Sequence, residues 1–319
     1  MTAEPLEQAP AALRTVEAAQ VELLDRLSAA GYDFVQPTPS THARVAGRRE
    51  RARPGSLRDV FGWSLPFAPG ELPPALFDAL LAARAVEPAG DDLLRSSLRV
   101  SSIEDRLHLH SAPGAGRDAV FLGPDSYRFV RFLRQELDRR PAFTRAVDIG
   151  VGAGAGALTL AARNPLAEVI GTDVNRGALR LFAANARHAA LPVCPVEGPG
   201  LKGTAGRFDL IVANPPYIAG EGGRVYRDGG VRGIELGLRW MEESVDRLAP
   251  GGRVILYTGS PIRDGADPVR AALLDLAAAR GLDLAWEEID PDVFGGTLAR
   301  PAYRDVERIA AVGAVLTAP

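Results

Sequence analysis

The sequence predicts an α/β protein: a doubly wound, seven-stranded, mainly parallel sheet preceded by a smaller N-terminal α+β domain. Three observations predict it. From residue 145 onward, short apolar runs alternate with stretches at helical spacing, the rhythm of strands buried on both faces between helices. A glycine-rich turn, AVDIGVGAGAGAL, falls where the first apolar run gives way to a helix. The preceding third of the chain lacks that rhythm and reads as helices followed by a short alternating segment. A length of 319 residues accommodates about two domains. Pro113–Gly114–Ala115–Gly116 is the expected seam, giving domains 1–115 and 116–319.

Taken in order, residues 11–30 place Leu13, Val16, Leu23, Leu24 and Leu27 on one helical face, and Gly31 is the expected stop. Pro37 to Gly55 reads as a loop containing Arg44, Arg48, Arg49, Arg51 and Arg53. PPALFDALLAARAV (73–86) reads as a second helix, because proline suits a first turn. LRVSSIEDRLHLHS (98–111) alternates and predicts a hairpin. Helices followed by such a hairpin resemble a small winged-helix module. Beyond the seam, strands are expected at 145–149, 167–172, 192–196, 207–213, 253–258, 282–289 and 306–316. Helices are expected at 155–163, 176–190, 234–249 and 268–280. Ligands of such sheets sit beyond the carboxyl ends of the strands.

Composition narrows the function classes. A net charge of −3 excludes a chain that is basic overall, so any nucleic-acid contact needs a local patch. Lys202 is the only lysine, and the arginine excess reads as a compositional bias shared with the many alanines, glycines and prolines. The single cysteine, Cys194, excludes a disulfide framework and a Cys-based zinc site, and it fits a reducing compartment. No metal is expected. No apolar run approaches the ~18 residues that span a bilayer, and MTAEPLEQAP carries no secretory signature. The expectation is a cytoplasmic protein without a membrane partner.

The glycine turn holds Asp148, Gly150, Gly152 and Gly154 at the end of the first strand. Glycines there let the backbone turn tightly and approach a ligand closely. Asp173 ends the next strand, where a carboxylate accepts hydrogen bonds from ribose hydroxyls. Together they describe a pocket for a nucleoside cofactor. Gly150, Gly152 and Ala155 also satisfy the GxGxxG/A dinucleotide pattern, which leaves an NAD-dependent oxidoreductase open. Asp148 speaks for a different cofactor, since a carboxylate there repels a pyrophosphate but suits the cationic amino group of a methionine moiety.

The fourth strand ends in Asn214–Pro215–Pro216–Tyr217. Two prolines remove two amide donors and fix the backbone, so the corner presents carbonyls. The Asn214 side-chain oxygen and the Pro215 carbonyl can accept both hydrogens of a planar NH₂ group, aiming the nitrogen lone pair. Tyr217 can stack on the flat target, worth about 0.5–1.5 kcal/mol for an aromatic pair. Positioning then supplies most of the catalysis.

On these motifs, residues 120–319 resemble the class I, Rossmann-like methyltransferases that use S-adenosyl-L-methionine and carry an NPPY motif. Within that class they look most like the HemK-type glutamine-N5 methyltransferases of peptide-chain release factors. DGGVRGIELGLRWMEESVDRLAPGGRVIL (228–256) resembles the glycine–helix–PGG pattern that follows NPPY in the glutamine enzymes. The resemblance implies S-adenosyl-L-methionine as cofactor, held by Asp148, Gly150, Gly152, Gly154, Asp173 and Asn214. It implies transfer to nitrogen with Asn214, Pro215 and Tyr217 as the catalytic corner. Protein glutamine is the favoured acceptor. The exocyclic amine of a nucleobase in RNA or DNA remains open, because adenine and cytosine methyltransferases share the tetrapeptide and the Arg-rich leader resembles an appended recognition module.

Several features receive structural readings. His108 and His110 share one strand face and are expected to be half exposed. Asp125, Ser126 and Tyr127 in FLGPDSYRFV are placed to close over the cofactor, with a helix N-cap at Asp125 or Ser126 as the alternative. Glu197 stands where the resembled enzymes commonly place an adenine-contacting aspartate. Cys194 reads as a small strand residue, and Glu287, Glu288, Asp290 and Asp292 as a solvated turn.

Overall fold

A computed structural model describes residues 11–49, 55–90, 92–219 and 233–319. The expectations for Arg51, Arg53 and residues 228–232 lie outside the described residues, as do those for the side chains of Leu13 and Arg49.

Helices α1 (Ala11–Ala29), α2 (Pro39–Arg49), α3 (Leu57–Phe61) and α4 (Pro74–Ala82) come first. Two hairpins follow, β1 (Val86–Pro88) with β2 (Leu94–Ser96) and β3 (Leu98–Ile103) with β4 (Arg106–Ser111). After α5 (Pro124–Arg139) the chain alternates: β5 (Arg145–Ile149), α6 (Ala155–Arg163), β6 (Glu168–Asp173), α7 (Arg176–His188), β7 (Cys194–Glu197) and β8 (Phe208–Ala213). It continues with α8 (Glu235–Val245), β9 (Leu248–Ile262), α9 (Pro268–Arg280), β10 (Asp283–Asp290) and β11 (Arg308–Thr317). No described helix is long and apolar enough to cross a membrane.

The seven expected strands form one sheet in the order β10-β11-β9-β8-β5-β6-β7. The pairs from β9 to β7 are parallel, whereas β11 runs antiparallel between β9 and β10. Strand order reverses at β5, flanked by β6 and β8, so the ends of these three strands frame the crevice where ligands of doubly wound sheets bind. Local chemistry sets the helix starts. Gly154 (φ +89°) precedes α6, the Asn175 side chain accepts from Gly177 N at 2.8 Å before α7, and Asp267 accepts from Arg270 N at 2.9 Å before α9. Gly281 (φ +62°) closes α9.

The N-terminal third departs from expectation in three places. The stretch 39–49 is a helix rather than a loop: Thr38 Oγ1 accepts from Thr41 N at 3.2 Å and Pro39 takes the first turn. Only His42 is buried on its described side chains, so no apolar stripe betrayed it, and Arg44 and Arg48 face solvent. The helix expected at 73–86 stops at Ala82, and Val86 enters β1. His108 and His110 are each only 1% exposed, because the β3–β4 hairpin is covered on that face. His110 Nε2 lies 2.8 Å from Ser101 Oγ and His108 Nδ1 lies 3.1 Å from the Arg106 carbonyl. Burial lowers both pKa values, that of His108 to about 4.

Packing crosses the expected seam. The core under α1, α4 and the second hairpin includes Val120, Leu122, Val130, Ala153, Ala178, Leu181 and Ala184 from beyond residue 116. The ion pair Arg187–Glu17 (2.9 Å) and the side-chain contact between His188 Nδ1 and Asp25 Oδ1 (2.7 Å) tie α7 to α1.

Candidate functional site

The turn after β5 explains the glycine spacing. Gly150, Gly152 and Gly154 all adopt left-handed backbone (φ +71°, +53° and +89°), which costs a residue with Cβ. They then diverge in role. A Cβ on Gly150 would lie 2.7 Å from Trp240, and one on Gly154 would lie 2.5 Å from Phe182. Above Gly152 there is open space, the nearest atom being Gly150 O at 3.9 Å. Gly150 and Gly152 line a cavity of about 310 Å³, whereas Gly154 starts α6 beneath it and does not line it. That volume belongs to the lower range of small-molecule sites.

Two carboxylates stand at the strand ends. Asp148 is 2% exposed and its Oδ2 accepts from Ala157 N at 2.8 Å in the first turn of α6. Burial pushes its pKa up to about 7, the Ala157 N–H pulls against that, and nearby Asp173 adds to it. Asp173 accepts from Gly152 N (3.0 Å) and from Asn175 N (2.9 Å), and burial raises its pKa as well. Both line the cavity, as does Asp125 from the first turn of α5. No Arg, Lys or His side chain appears among the described lining residues. A pocket with three carboxylates and no internal cation is built for a positively charged ligand.

The corner after β8, the strand next to β5, contributes Asn214, Pro215, Pro216 and Tyr217 to the same cavity. Two glycines of the 228–256 segment back it. A Cβ on Gly233 (φ +85°) would sit 2.5 Å from the Tyr217 carbonyl, and one on Gly237 would sit 3.1 Å from Pro215 Cγ. Tyr217 is 8% exposed, with its ring edge-on to Tyr257 (6.5 Å) and Phe294 (5.7 Å). Its hydroxyl is buried without a hydrogen-bond partner among the described residues. Burial, followed by the Asp125 charge, raises its pKa well above the phenol range. Tyr257 OH donates to Asp125 Oδ1 at 3.0 Å, and burial raises the Asp125 carboxyl.

The structure resolves the alternatives in FLGPDSYRFV residue by residue. Gly123 holds the N-cap position of α5, where Gly123 N donates to Ser126 Oγ at 3.3 Å. Asp125 and Ser126 line the cavity. Tyr127 turns away, its hydroxyl accepting from Gln36 N at 2.8 Å. Glu197 pairs with Arg176 at 2.8 Å and leaves that edge of the cavity to Gly198, Pro199 and Gly200.

Sequence reasoning missed Asn185, which is fully buried on α7. Its Oδ1 accepts from Leu109 N (2.8 Å), and its Nδ2 donates to Leu109 O (3.1 Å) and to Ala153 O (2.9 Å) in the glycine turn. One side chain thus joins the N-terminal hairpin to the cavity wall. Trp240, Phe294 and Tyr303 were also missed; an asparagine or tryptophan on a helix carries no local signal of what it will face.

Residues 128–262 match the family profile described as methyltransferase small domain. The chain is 35% identical over 185 residues to the release factor glutamine methyltransferase of Deinococcus radiodurans, a match covering 54% of this chain and 62% of that protein. It is 30% identical over 137 residues to the ribosomal protein uL3 glutamine methyltransferase of Bradyrhizobium diazoefficiens, covering 39% and 43% respectively. The chain therefore spans less than two thirds of the length of these relatives. Among solved structures, Trm5b from Pyrococcus abyssi is similar in fold, with a TM-score of 0.50 at 14% identity over 73% of this chain and 62% of that one. Over residues 128–262 the chain is thus similar to the methyltransferase small-domain family.

Proposed function

We propose that this protein transfers a methyl group from S-adenosyl-L-methionine to the side-chain amide nitrogen of a protein glutamine. One observation carries the reading: the acidic glycine turn and the Asn214–Tyr217 corner leave neighbouring strand ends and line a single cavity. The residues fit the cofactor. Asp148, its carboxyl raised by burial to about 7, would be drawn fully into the ionised form by a cation such as the methionine ammonium, and the left-handed turn leaves open space above Gly152. Asp173 retains acceptor capacity beside its two backbone donors for ribose hydroxyls. When bound, the cofactor supplies an electrophilic methyl on a sulfonium.

The chain's own residues then act by placement. The Asn214 side-chain oxygen and the Pro215 carbonyl accept the two N–H bonds of a flat carboxamide, which fixes its plane and directs the nitrogen lone pair. Tyr217, braced by Tyr257 and Phe294, gives an aromatic wall to that plane. A carboxamide nitrogen held in this way would become acidic on accepting a methyl group and would release one proton to water. Both reactants are held, so orientation supplies the rate, with effective molarities of order 10⁵–10⁸ M for well-aligned pairs.

The similarity to two proteins named as glutamine methyltransferases favours a protein acceptor. The carboxylate-lined cavity also disfavours a phosphate-bearing one. The dinucleotide alternative meets the same obstacle, because a pyrophosphate would face Asp148.

The test uses purified protein, labelled cofactor, and either a bacterial release factor or ribosomal protein uL3, with the modified residue located by mass spectrometry. Asn214→Ala should abolish turnover while affinity for S-adenosylhomocysteine stays within about threefold. Retained turnover refutes the assigned corner. Stabilisation by NADH but not by S-adenosylhomocysteine in a melting assay refutes the cofactor.

A further inference from the structure

The N-terminal third buries a cation that the fold leaves without a counter-charge. Arg99 of β3 is only 6% exposed, and it forms no ion pair among the described residues. Its Nε donates to Ser64 Oγ at 2.9 Å, and its Nη2 donates to His42 Nε2 at 2.7 Å. Both acceptors are neutral, because burial and then the Arg99 charge hold His42 down at a pKa of about 4. Desolvation lowers Arg99 itself to about 10. Charged side chains are almost never buried unless paired, since two bonds to neutral groups recover only part of the hydration an ion gives up. The third nitrogen, Nη1, bonds to no described residue and is not sealed from solvent.

Strain and a second free cation mark the same place. Ser64 offers its hydroxyl from a left-handed backbone (φ +55°), which a residue with a Cβ adopts only at a cost. His42 Nε2 also lies 2.9 Å from the Trp63 carbonyl, so that nitrogen satisfies one neighbour at the other's expense. Arg58 of α3 stands exposed over the Phe34 ring, 5.8 Å from its centroid, and likewise forms no ion pair among the described residues. The charges of Arg58 and Arg99 both act on the Tyr32 hydroxyl, pulling against the burial that raises its pKa. The carboxylate of Asp59, next along α3, accepts from Gly55 N at 3.0 Å and from Ser56 Oγ at 3.1 Å. Neither arginine nor Ser64 lines the cavity at the strand ends.

We propose that Arg99, Arg58 and Ser64 form an anion site in the N-terminal third that takes a phosphate group. A guanidinium presents a planar fork of N–H bonds to such a group, a match that an ammonium cannot make. Arg99 is the preorganised base of the site, and Arg58 is the cation at its rim. The Ser64 oxygen already accepts from Arg99, so its proton is free to be donated to the ligand. Two guanidinium groups and a hydroxyl together match both the charge and the several oxygens of a phosphate. The site shares no residue with the cavity and does not depend on the methyl transfer proposed above.

The experiment titrates the full chain by calorimetry with inorganic phosphate and, in a second arm, with a short single-stranded RNA, each against chloride at matched ionic strength. Arg58→Gln removes an exposed charge and should fold like wild type, whereas Arg99→Lys keeps the charge and loses the fork. Wild type should bind saturably. Arg58→Gln should weaken that binding by about fivefold or more, and Arg99→Lys by about tenfold or more, the scale of a lost charge-assisted bond. Saturable RNA binding lost in the same variants identifies a phosphodiester as the source. Phosphate binding without RNA binding identifies a free or terminal phosphate. No saturable binding in either arm, or binding that either folded variant leaves unchanged, overturns the proposal. If Arg99→Lys fails to fold, Arg58→Gln decides alone.

Discussion

Replacing Asp148 by asparagine should stabilise the protein while disabling its cofactor site, with a pH signature that identifies the cause. Burial lifts the Asp148 pKa from 3.8 to about 7. The native state therefore keeps this proton to higher pH than the unfolded chain does, and stability falls as pH rises from about 4 to 7. At 1.36 kcal/mol per tenfold change in proton affinity, the ionised carboxylate costs the native state about 4 kcal/mol at pH 8 and about 2 kcal/mol at pH 5. Asparagine keeps an oxygen for the Ala157 N–H and never ionises. Urea denaturation should show the variant more stable than wild type, with an advantage that grows across this range and levels off above pH 7. An advantage that is flat or shrinks with rising pH refutes the assignment. Ligand binding supplies the complementary reading. If Asp148 receives an ammonium, wild-type affinity for S-adenosylhomocysteine should weaken about tenfold per pH unit below 7, and the Asp148→Asn variant should be weak and pH-independent there.

Other perturbations follow from the same geometry. Gly150→Ala combines left-handed strain of about 1–2 kcal/mol with a collision against Trp240, so it should lower Tm and cofactor affinity together, whereas Gly152→Ala should show the strain without that collision. Asn185→Ala removes three hydrogen bonds and leaves the Leu109 and Ala153 backbone groups buried without partners. A loss of about 3–5 kcal/mol in chemical denaturation is expected, together with weaker cofactor binding; a loss below about 1 kcal/mol would place these groups in contact with water. His108, with a native pKa of about 4 against 6.5 unperturbed, contributes stability that is present above pH 6.5 and lost as pH falls toward 4. His108→Leu should flatten the denaturation midpoint across that window, opposite in sign to the Asp148 effect.

The sheet was legible because its signals are local. A parallel strand buried on both faces is a short apolar run, and each βα turn carries its own glycine or cap, so all seven strands were found. The acidic glycine wall of the cavity was legible for the same reason, since Asp148, Gly150, Gly152 and Asp173 sit at the ends of adjacent strands whose register follows from the fold. The N-terminal third hid its order. Helix α2 is polar on nearly every described face and is declared only by Thr38–Pro39. The His108–His110 face alternates like a half-exposed strand, yet both histidines are only 1% exposed.

Residues brought to the site by distant packing were not legible, and they share a physical trait. Asn185, Tyr257 and Tyr303 each place a polar group in the interior and satisfy it across at least 32 positions of sequence. A buried polar group of this sort is costly unless paired, so its partner is effectively dictated by the fold. The pairings also divide the labour of the site. Asn185 binds the glycine turn to the N-terminal hairpin, Tyr257 holds Asp125 at the cavity wall, and Tyr303 holds the backbone two residues past Tyr217. The N-terminal third thus packs against the glycine-turn wall of the cavity. A truncation at the 113–116 seam should expose the apolar faces of Leu181 and Ala184 and strand the Asn185 amide. Its expected outcome is an insoluble or cofactor-incompetent fragment, checked by expression of residues 116–319 alone; a soluble fragment that binds S-adenosylhomocysteine like the full chain would overturn that view.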